Sequence, residues 1–471
     1  MTPLQLHPDR LFPTDTGVRE IARRLYGTVQ HLPILSPHGH VPPAWIADDI
    51  PFSDPVSLLL SPDHYINRLL HADGVSLSSL GVPPGSVQLD QAQARQAWST
   101  FCARWPLFSG TPMKFWMEAV LVDVFGVDQR PSAETADAIY DTIAAAITTA
   151  EFKPRALMDR FNIEFLATTD DPCDDLAAHA KMAGDASFNH KVVPTFRPDR
   201  YLEPARSDWP DLVAALGEVA GVDTSSYAGW VEAMANRRAY FKAHGAVSSD
   251  HAHIDAKTEP LTRHDAERAY AAALAGKAQP FEAKALQQTM LFEQARMACE
   301  DGLTMTLHPA VYRNHHTPTF QSFGPDVGCD IPISVEFTRA LQPMLDAFGC
   351  HPNFTLVVFT IDETVYSREL APLAGFYPSV HVGVPWWFID APEAIRRFRR
   401  SVTEATGFTR HSGFIDDTRA FLSIPARHDM SRRLDCGYLA ELVAEHRLSE
   451  DEAVEAAYQL VAVNPRKVFH V

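Results

Sequence analysis

The stretch that decides the fold is HLPILSPHGH, residues 31–40, a short apolar run that ends abruptly in two histidines. Side chains alternate along a strand, so His38 and His40 project to the same side of the chain. If the run is a barrel strand, that side faces the cavity at the carboxyl end. Two imidazoles there make half of a zinc, manganese or iron site. The tripeptide alone is weak evidence, since most such pairs are surface or hydrogen-bonded histidines.

Seven further apolar runs end in polar residues in the same way. Together the eight runs span residues 32–36, 163–168, 191–196, 245–249, 303–307, 354–360, 379–384 and 412–415. Between them, apolar residues recur at three and four positions, as in helices, for example over residues 172–182, 264–275, 281–301, 334–348 and 392–406. Alternating strand and helix predicts an α/β fold with a parallel sheet. Eight strands favour a closed (β/α)8 TIM barrel over the alternative, an open doubly wound sheet.

The connection between the first two predicted strands is far longer than a single crossover needs. It carries helical patterns of its own, over residues 91–104 and 133–150. We predict that residues 41–162 form a mostly helical insertion domain that covers the rim of the active site. Residues 1–40 and 163–471 then form the barrel, with closing helices near residues 430–446 and 450–461.

The composition limits which partners and which cellular compartment we expect. The chain has 471 residues, of which 46% are hydrophobic, and this is ample for a large core. A net charge of −18 repels phosphate backbones and anionic membranes, so we expect neither nucleic acid nor a membrane as partner. The six cysteines are irregularly spaced without a CxxC motif, which indicates a reducing compartment. No signal pattern precedes residue 13, so we expect a soluble, cytoplasmic protein.

A carboxylate pair follows the last predicted strand, in the sequence DDTR at residues 416–419. Strand eight of a barrel closes beside strand one, so Asp417 can complete a site with His38 and His40. Such a site leaves coordination positions open for substrate or water, as a catalytic metal requires. The alternative is a helix-capping aspartate, and this suits Asp416 better than Asp417.

The sequence SPDHY, residues 61–65, is typical of a helix start. We predict Ser61 as the N-cap, Pro62 as the first helical residue and Asp63 in the first turn. His64 and Tyr65 then lie at the beginning of an insertion helix. Tyr65 either packs against its own helix or faces the metal, where a phenol can donate or shuttle a proton.

Three arginines come just after predicted strand ends: Arg197, Arg313 and Arg419. A guanidinium binds a carboxylate through a bidentate fork, so arginines converging on one mouth of an acidic protein suggest an anionic substrate. The alternative for each is an ordinary ion pair, for instance Arg197 with Asp199.

Other groups near strand ends have several possible roles. Adjacent tryptophans on a strand point opposite ways, so only one of Trp386 and Trp387 is expected to face the pocket. His251, His253 and His308 are open to metal, substrate or core contacts, and Asp250 is a candidate for orienting one of them. Asp362 and Glu363, in TIDET, are equally open. The segment GPDVG, residues 324–328, is interpreted as a turn.

These residues resemble the uronate isomerases of the amidohydrolase superfamily. The resemblance runs nearly end to end, and its motifs are SPHGH, SPDHYINRLL, TFRPD, SSDHAH, LHPAVYRNHH, FGPDVGCDIP, PWWF and DDTRAFLSIPARHDMSRR. It implies that His38, His40 and Asp417 hold one divalent metal ion, zinc, with manganese or iron as alternatives. It also implies that His64, Tyr65 and Arg419 face a sugar.

By the same resemblance, Arg197 and Arg313 are candidates for the carboxylate of the sugar. From their positions near strand ends, Trp386, Trp387 and His308 are candidates for contacts with the substrate. We also expect a homo-oligomer.

The implied reaction interconverts an aldose uronate and its ketose through an enediol, as in hexuronate catabolism. D-Glucuronate gives D-fructuronate, and D-galacturonate gives D-tagaturonate. Asp417 is then the group that carries the carbon-bound proton, and Tyr65 the group that shuttles the oxygen-bound proton. Two other functions stay open from the residues alone. One is a mononuclear metal-dependent hydrolase of a sugar-acid lactone or amide, and the other is a non-catalytic sugar-acid binding protein.

Overall fold

The computed structural model describes residues 3–83 and 85–471. The described residues form nine strands, most of them short. They are β1 Ile34–Ser36, β2 Ile163–Ala167, β3 Lys191–Val193, β4 Ser248–His251, β5 Thr304–Leu307, β6 Val311–Tyr312, β7 Ile331–Pro332, β8 Leu356–Val358 and β9 Val380–Val382.

The strands pair almost entirely in parallel. β1, β2 and β3 form one sheet in that order, β4, β5, β8 and β9 form a second, and β6 with β7 forms an antiparallel ribbon. Phe196, just after β3, bridges to Asp170 and to Ser249, which links the two parallel sheets. A further bridge joins Val382 to His411. Parallel neighbours need long crossovers, which helices supply here. The predicted α/β fold with a parallel sheet is confirmed.

Helices occupy most of the connections. The α-helices of the described residues are α1 Thr16–Val29, α2 Pro43–Asp48, α3 Pro55–Leu59, α4 His64–Ala72, α5 Gln91–Ala103, α6 Pro112–Ala119, α7 Ala136–Ile147, α8 Pro154–Arg160, α9 Ala177–Ala183, α10 Trp209–Ala220, α11 Tyr227–Ala243, α12 Arg263–Leu274, α13 Pro280–Asp301, α14 Thr317–Phe323, α15 Gln342–Phe348, α16 Ala371–Phe376, α17 Pro392–Thr406, α18 Ile424–Ala444, α19 Glu450–Tyr458 and α20 Asn464–Phe469. Short 3₁₀ turns cover Ser78–Leu80, Trp105–Phe108, Ala150–Phe152, Asp199–Leu202, Trp387–Ile389 and Phe421–Ser423. Single π turns cover Val120–Val124, Tyr366–Leu370 and Gln459–Val463.

The predicted strand positions hold for seven of the eight runs, which overlap β1 to β5, β8 and β9. The eighth, residues 412–415, is wrong as a strand. That segment is irregular, and its pairing is the single bridge at the preceding His411. Gly413 explains the difference, because its φ of +79° takes the backbone out of the β region. A Cβ at that position would lie 2.5 Å from Pro465, so the segment fits closely against α20.

The main core lies between the strands and their helices. Phe165, Met305 and Val357 of the strands are buried in one apolar cluster with Trp230 and Leu286 of the helices. Each such side chain contributes roughly 1.5–3 kcal/mol when fully removed from water. This cluster fixes the strands, and the carboxyl ends of the strands in turn position the polar residues that follow them.

The described residues between β1 and β2 contain the helices α2 to α8 and no strand. Trp98, Phe101 and Ile143 are fully buried in a second apolar cluster. That cluster also contains Ile163 of β2 and Met430 of α18, so these helices pack onto the rest of the chain through apolar contacts.

Two further features concern the helices and the cysteines. Within residues 3–83 and 85–471, no helix combines the length and the apolar character that crossing a membrane requires. All six cysteines carry free thiols.

A buried ion pair joins α17 to α18. Arg399 donates to both carboxylate oxygens of Asp435, at 2.6 and 2.8 Å, and the two side chains are 2% and 4% exposed. Replacing Arg399 with Met leaves a buried carboxylate without its charge partner, which costs about 3–5 kcal/mol. We therefore expect Arg399→Met to lower the free energy of unfolding by about that amount in a urea titration.

A matched control is Arg24→Met, since Arg24 forms a similar fork with Glu450 at the surface. Exposed pairs contribute little, so this variant should unfold at the same urea concentration as the parent. Equal midpoints for the two variants would contradict the structural role of the buried pair.

Candidate active site

The carboxyl ends of the strands open into a polar cavity of about 370 Å³. It gathers the eleven residues that the sequence predicts for metal binding, catalysis or substrate contact. They are His38, His40, His64, Tyr65, Arg197, His308, Arg313, Trp386, Trp387, Asp417 and Arg419. Residues that are far apart in sequence therefore share one pocket.

His38, His40 and Asp417 form a compact cluster at the floor of this cavity. Nε2 of His40 lies 3.0 Å and Nε2 of His38 lies 3.6 Å from the same carboxylate oxygen, Oδ1 of Asp417. The backbone brings them together, because the amide of His40 donates to the carbonyl of Thr418 at 3.1 Å. Asp417 itself has a φ of +39°, an uncommon conformation for a residue with a side chain.

The cluster fits a divalent cation. Oδ1 of Asp417 is buried and accepts no hydrogen bond from the described residues, although two imidazole nitrogens approach it. Burial lowers the pKa of His38 to about 4, so its imidazole is neutral and its lone pair is available. Burial also disfavours ionised Asp417, but His38 and His40 outweigh it and hold the pKa of that carboxyl well below its usual range. Neutral imidazole and ionised carboxylate are the forms that bind a metal.

Asp250 and His308 lie beside His38 and support this cluster. Nδ1 of His308 lies 2.6 Å from Oδ1 of Asp250, and Thr306 donates to that oxygen at 2.8 Å. The ring of His308 stacks on His38, with centroids 4.9 Å apart. Within the described part of the chain, Nε2 of His308 is buried and has no hydrogen-bond partner. Asp250 thus orients His308, whose side chain lines the cavity.

The helix that carries Tyr65 begins differently from the prediction. Asp63, not Ser61, is the N-cap of α4: its side chain accepts from the amides of Tyr65 and Ile66 at 2.8 and 3.4 Å. The hydroxyl of Ser61 instead donates to the carbonyl of Leu80 at 2.7 Å, a tertiary contact that local sequence does not reveal. His64 and Tyr65 become the first two residues of the helix, and both line the pocket.

Tyr65 is held by a buried charged pair that the sequence analysis missed. Its hydroxyl lies 2.7 Å from Oδ2 of Asp390 and 2.7 Å from the carbonyl of Trp387. Arg427 donates to the same oxygen of Asp390 at 2.9 Å. Burial raises the pKa of Asp390 to about 6, and the pKa of Tyr65 lies well above its usual value, chiefly through burial. The ring also packs edge-on against Trp116, so Tyr65 has both a packing role and a fixed phenol.

His64 lies on the other side of the same pocket. Its ring centroid is 6.0 Å from that of Trp387. Burial, with Arg419 next, lowers the pKa of His64 to about 3. Its neutral ring can exchange hydrogen bonds with a substrate but carries no positive charge near pH 7.

Each predicted arginine is already paired with carboxylates. Nε of Arg197 lies 3.1 Å from Asp199, the alternative considered from sequence, and 3.4 Å from Asp250. The other two pair with the loop after α14. Nη1 of Arg313 lies 3.2 Å from Asp330, and Nη2 of Arg419 lies 3.1 Å from Asp326. These carboxylates hold the guanidinium groups in place around the cavity.

Comparison with known proteins identifies the family of this chain. A sequence model described as glucuronate isomerase matches residues 16–469. The chain belongs to the glucuronate isomerase family. A uronate isomerase from Cutibacterium acnes is 55% identical over 466 residues, which cover 99% of this chain and 98% of that protein.

Solved structures agree with this family. The glucuronate isomerase from Caulobacter crescentus has a TM-score of 0.96 and 44% identity, and the match covers 99% of this chain and 97% of that one. A uronate isomerase from Thermotoga maritima has a TM-score of 0.92 and 27% identity, with 99% of both chains covered. The family that the sequence motifs resemble is confirmed, and with it the prediction of an isomerase.

The prediction that only one of the two adjacent tryptophans lines the pocket is wrong. Both Trp386 and Trp387 line it. The reason is that β9 ends at Val382, so the alternation of a strand no longer applies. Trp387 has a φ of +51° and begins a 3₁₀ turn, which rotates its ring to the same side as that of Trp386. Trp386 then meets the ring of His308 edge-on, with centroids 4.7 Å apart.

Asp416 is not a helix cap in this family member, contrary to the alternative considered from sequence. Its Oδ2 lies 3.0 Å from Nε2 of His428 on α18, and both side chains are buried. The helix α18 begins after Ser423 instead. Asp416 therefore ties the segment that carries Asp417 to α18.

The carboxylates that pair with Arg313, Arg419 and Tyr65 were not found from sequence. Asp326 lies in the segment interpreted as a turn, yet it lines the pocket beside Arg419. Asp390 and Arg427 come from a loop and from a long helix, where nothing in the local pattern marks them. Asp362 and Glu363 lie outside the pocket lining, with Asp362 bonded to Thr364 and Glu363 to Arg397.

The Tyr65–Asp390 contact predicts that the phenol and the carboxylate act together in turnover. Tyr65→Phe removes only the hydroxyl, and Asp390→Asn removes the charge that fixes it. If the pair moves a proton as one unit, each substitution lowers turnover by about a hundredfold or more, the usual size of a general acid–base contribution. The double variant should lose no more than the worse single variant, as measured by turnover with a uronate.

Thermal melts of all three variants provide the control, because Asp390→Asn also weakens the partner of buried Arg427. Unchanged turnover in folded Tyr65→Phe would return that residue to a packing role. If the losses multiply in the double variant, Asp390 and the phenol of Tyr65 act independently.

Proposed function

We propose that this chain interconverts aldose and ketose uronates, D-glucuronate with D-fructuronate and D-galacturonate with D-tagaturonate. The observation that carries the proposal is the lining of the cavity. In a chain of net charge −18, one pocket combines a His–His–Asp cluster with five arginines. They are Arg197, Arg200, Arg206, Arg313 and Arg419. Such a site suits a small sugar that carries a carboxylate.

The reaction moves two protons. One leaves C2 of the open-chain aldehyde and one arrives at C1, while the oxygen-bound proton passes between O1 and O2 through an enediol. Asp417 is our choice for the carbon-bound proton, because its carboxylate is ionised and faces the cavity floor. It accepts the proton from C2 and returns it to C1.

We further propose that His38, His40 and Asp417 hold one divalent ion, zinc, with manganese or iron as alternatives. Support comes from the mixed nitrogen and oxygen donors, their burial and the shared oxygen that both imidazoles approach. When bound, such an ion orients a substrate hydroxyl and stabilises the negative charge that develops on oxygen. His38 and His40 serve as ligands, not as acids.

Tyr65 is proposed as the group for the oxygen-bound proton. A phenol whose pKa is raised by burial keeps its proton, so Tyr65 enters the reaction as a donor. Asp390 accepts a hydrogen bond from that hydroxyl at 2.7 Å and holds it in position. After the phenol has donated its proton to one substrate oxygen, the phenolate regains a proton from the other oxygen. Both groups are fixed before the substrate arrives, because Arg427 holds Asp390 from the other side.

Arg197 and Arg313 are proposed to bind the substrate carboxylate, with Arg419 and His64 contacting sugar hydroxyls. Trp386, Trp387 and His308 form the wall. The guanidinium of Arg313 already lies 4.9 Å from the ring centroid of Trp387, a stacking that limits its motion and leaves donors free for a carboxylate.

The overall arrangement is proposed as follows. The two parallel sheets supply seven strands of a (β/α)8 barrel, and the irregular residues 412–415 take the place of the eighth strand. The hydrogen bond from His40 to Thr418 supports closure between that segment and the first strand. Residues 41–162 form an insertion domain at the rim, to which His64 and Tyr65 belong. A cytoplasmic homo-oligomer stays a prediction from sequence.

A metal-dependent hydrolase is a second candidate, favoured by one observation. Asp250 lies 3.9 Å from Nε2 of His38, and His308 has a free Nε2 beside them, so this group offers further metal ligands. A site of that kind would activate water against a sugar-acid lactone or amide. A non-catalytic sugar-acid binding protein is disfavoured by the fixed Asp417, Tyr65 and Asp390.

Proton NMR in deuterated water tests the function. The metal-loaded protein is incubated with D-glucuronate, with D-galacturonate and, for the rival function, with a sugar-acid lactone. We expect ketose signals from the uronates. Asp417→Asn should lower their rate at least about a hundredfold, because an amide cannot accept the proton from C2.

Asp362→Asn is the matched control, since Asp362 also follows a strand but lies outside the pocket lining. Its rate should equal that of the parent. Lactone hydrolysis without ketose formation would reject the isomerase, and near-normal turnover in Asp417→Asn would remove Asp417 from the mechanism.

The proposed carboxylate contacts give a separate prediction. A charged bidentate pair in a shielded site contributes roughly 1.5–3 kcal/mol. Replacing Arg197 or Arg313 with Met should therefore lower kcat/KM for a uronate by about ten- to a hundredfold. The loss should be much smaller with the neutral aldose, which has no carboxylate.

Two controls accompany that measurement. Arg→Lys at either position should recover only part of the loss, because an ammonium keeps the charge but not the fork. Arg397→Met, at an exposed ion pair with Glu363, should have no effect. Equal losses for the uronate and the neutral sugar would mean that Arg197 and Arg313 support the fold and that other groups bind the carboxylate.

A further inference from the structure

A second group of potential metal ligands lies behind Arg197, next to the cavity just described. It consists of Asp199, His251 and His253, whose candidate ligand atoms all lie within 4.8 Å of one another. The histidines come from the motif SSDHAH at the end of β4, and Asp199 comes from TFRPD after β3. Parallel strands that neighbour each other bring these segments together at their carboxyl ends.

The two histidines are buried without the contacts that buried imidazoles need. His251 is 0% exposed and His253 is 4% exposed. Within residues 3–83 and 85–471, neither ring nitrogen of His251 has a hydrogen-bond partner, and Nε2 of His253 has none. Leaving a buried polar atom unsatisfied costs about 1–3 kcal/mol, so such atoms call for an explanation.

The separation of the donors points to an ion rather than a hydrogen bond. Nε2 of His253 lies 3.6 Å from Oδ1 of Asp199, too far for a hydrogen bond between them. Two ligands at about 2.1 Å from one tetrahedral ion lie about 3.4 Å apart. The spacing from His38 to Asp417 in the first cluster is also 3.6 Å.

The surroundings hold these donors in place. The amide of Ala252 donates to both oxygens of Asp199 at 3.1 Å. The side-chain amide of Gln287 lies 3.5 Å from Nδ1 of His253. An amide can present its oxygen or its nitrogen there, and the oxygen would keep the proton on Nδ1 and leave the lone pair of Nε2 directed at Asp199.

We propose that Asp199, His251 and His253 bind a second divalent transition-metal ion. Two imidazoles and one carboxylate are the donors that zinc prefers. The site lies next to the first one but shares no ligand with it.

An ion at this second site is expected to change how Arg197 binds the substrate. This step rests on the function proposed above. Asp199 is the ion-pair partner of Arg197, at 3.1 Å. A cation on the other oxygen of Asp199 weakens that attraction, because the carboxylate charge is then shared. Arg197 becomes freer to bind the carboxylate of the sugar acid, so the second ion tunes substrate binding without entering the chemistry.

Metal content tests the proposal without relying on activity. The full-length protein is loaded with zinc, freed of excess ion by gel filtration and measured for zinc per chain by mass spectrometry. We expect two zinc ions per chain in the parent and one in His253→Gln. Asp199→Asn, a gentler change at a part-exposed residue, should also bind one, which guards against a folding defect in the histidine variant.

Two further variants make the result specific. Asp417→Asn should lose the other ion, and the double variant Asp199→Asn/Asp417→Asn should lose both. His381→Gln is the matched control, because His381 is a similarly buried histidine that lies outside both clusters. It should keep two ions.

Several outcomes would overturn the second site. One is a zinc content that stays at the parental value in both Asp199→Asn and His253→Gln. Another is an equal loss in His381→Gln. If the site binds zinc but His253→Gln, which keeps the carboxylate of Asp199, does not raise KM for a uronate relative to the neutral aldose, the link to Arg197 is wrong. Absence of isomerase activity would leave the zinc counts unchanged, so the two proposals fail separately.

Discussion

The structure depends on one backbone contact, the hydrogen bond from the amide of His40 to the carbonyl of Thr418. It joins the segment after the first strand to a segment almost four hundred residues later in the chain. Without it, the two imidazoles and the carboxylate of Asp417 would belong to separate loops. A side-chain contact reinforces it, because Asp416 bonds to His428 on α18.

The pocket is built by balancing charge rather than by concentrating one sign. Each predicted arginine faces at least one carboxylate, and Tyr65 is held by the Asp390–Arg427 pair. Paired charges cost less to bury than single ones. They also keep long side chains in fixed positions before a substrate arrives, which lowers the entropy that binding must overcome. A substrate carboxylate can then exchange with a protein carboxylate at the same guanidinium.

Backbone strain gathers around the same cavity. Asn314, Asp326, Trp387 and Asp417 all line it and all have positive φ. A non-glycine residue in the left-handed region costs of order 1 kcal/mol or more, and it persists only where the surroundings enforce it. The apolar packing of strands and helices supplies that enforcement, and the result is a set of side chains aimed where regular strands would not aim them.

The sequence by itself determined the elements and the chemistry, because both follow from local pattern. Apolar runs that end in polar residues revealed seven strands, and the HxH spacing with DDTR identified the donors that meet at Asp417. The tertiary structure alone decided what depends on contacts between distant segments. In the structure Asp63, not Ser61, caps the helix, and both tryptophans line the pocket. Gly413 interrupts the predicted eighth strand. Asp390 and Asp326 pair with residues of other elements. Pairing and close packing of this kind are properties of three-dimensional neighbours, and a single sequence records only neighbours along the chain.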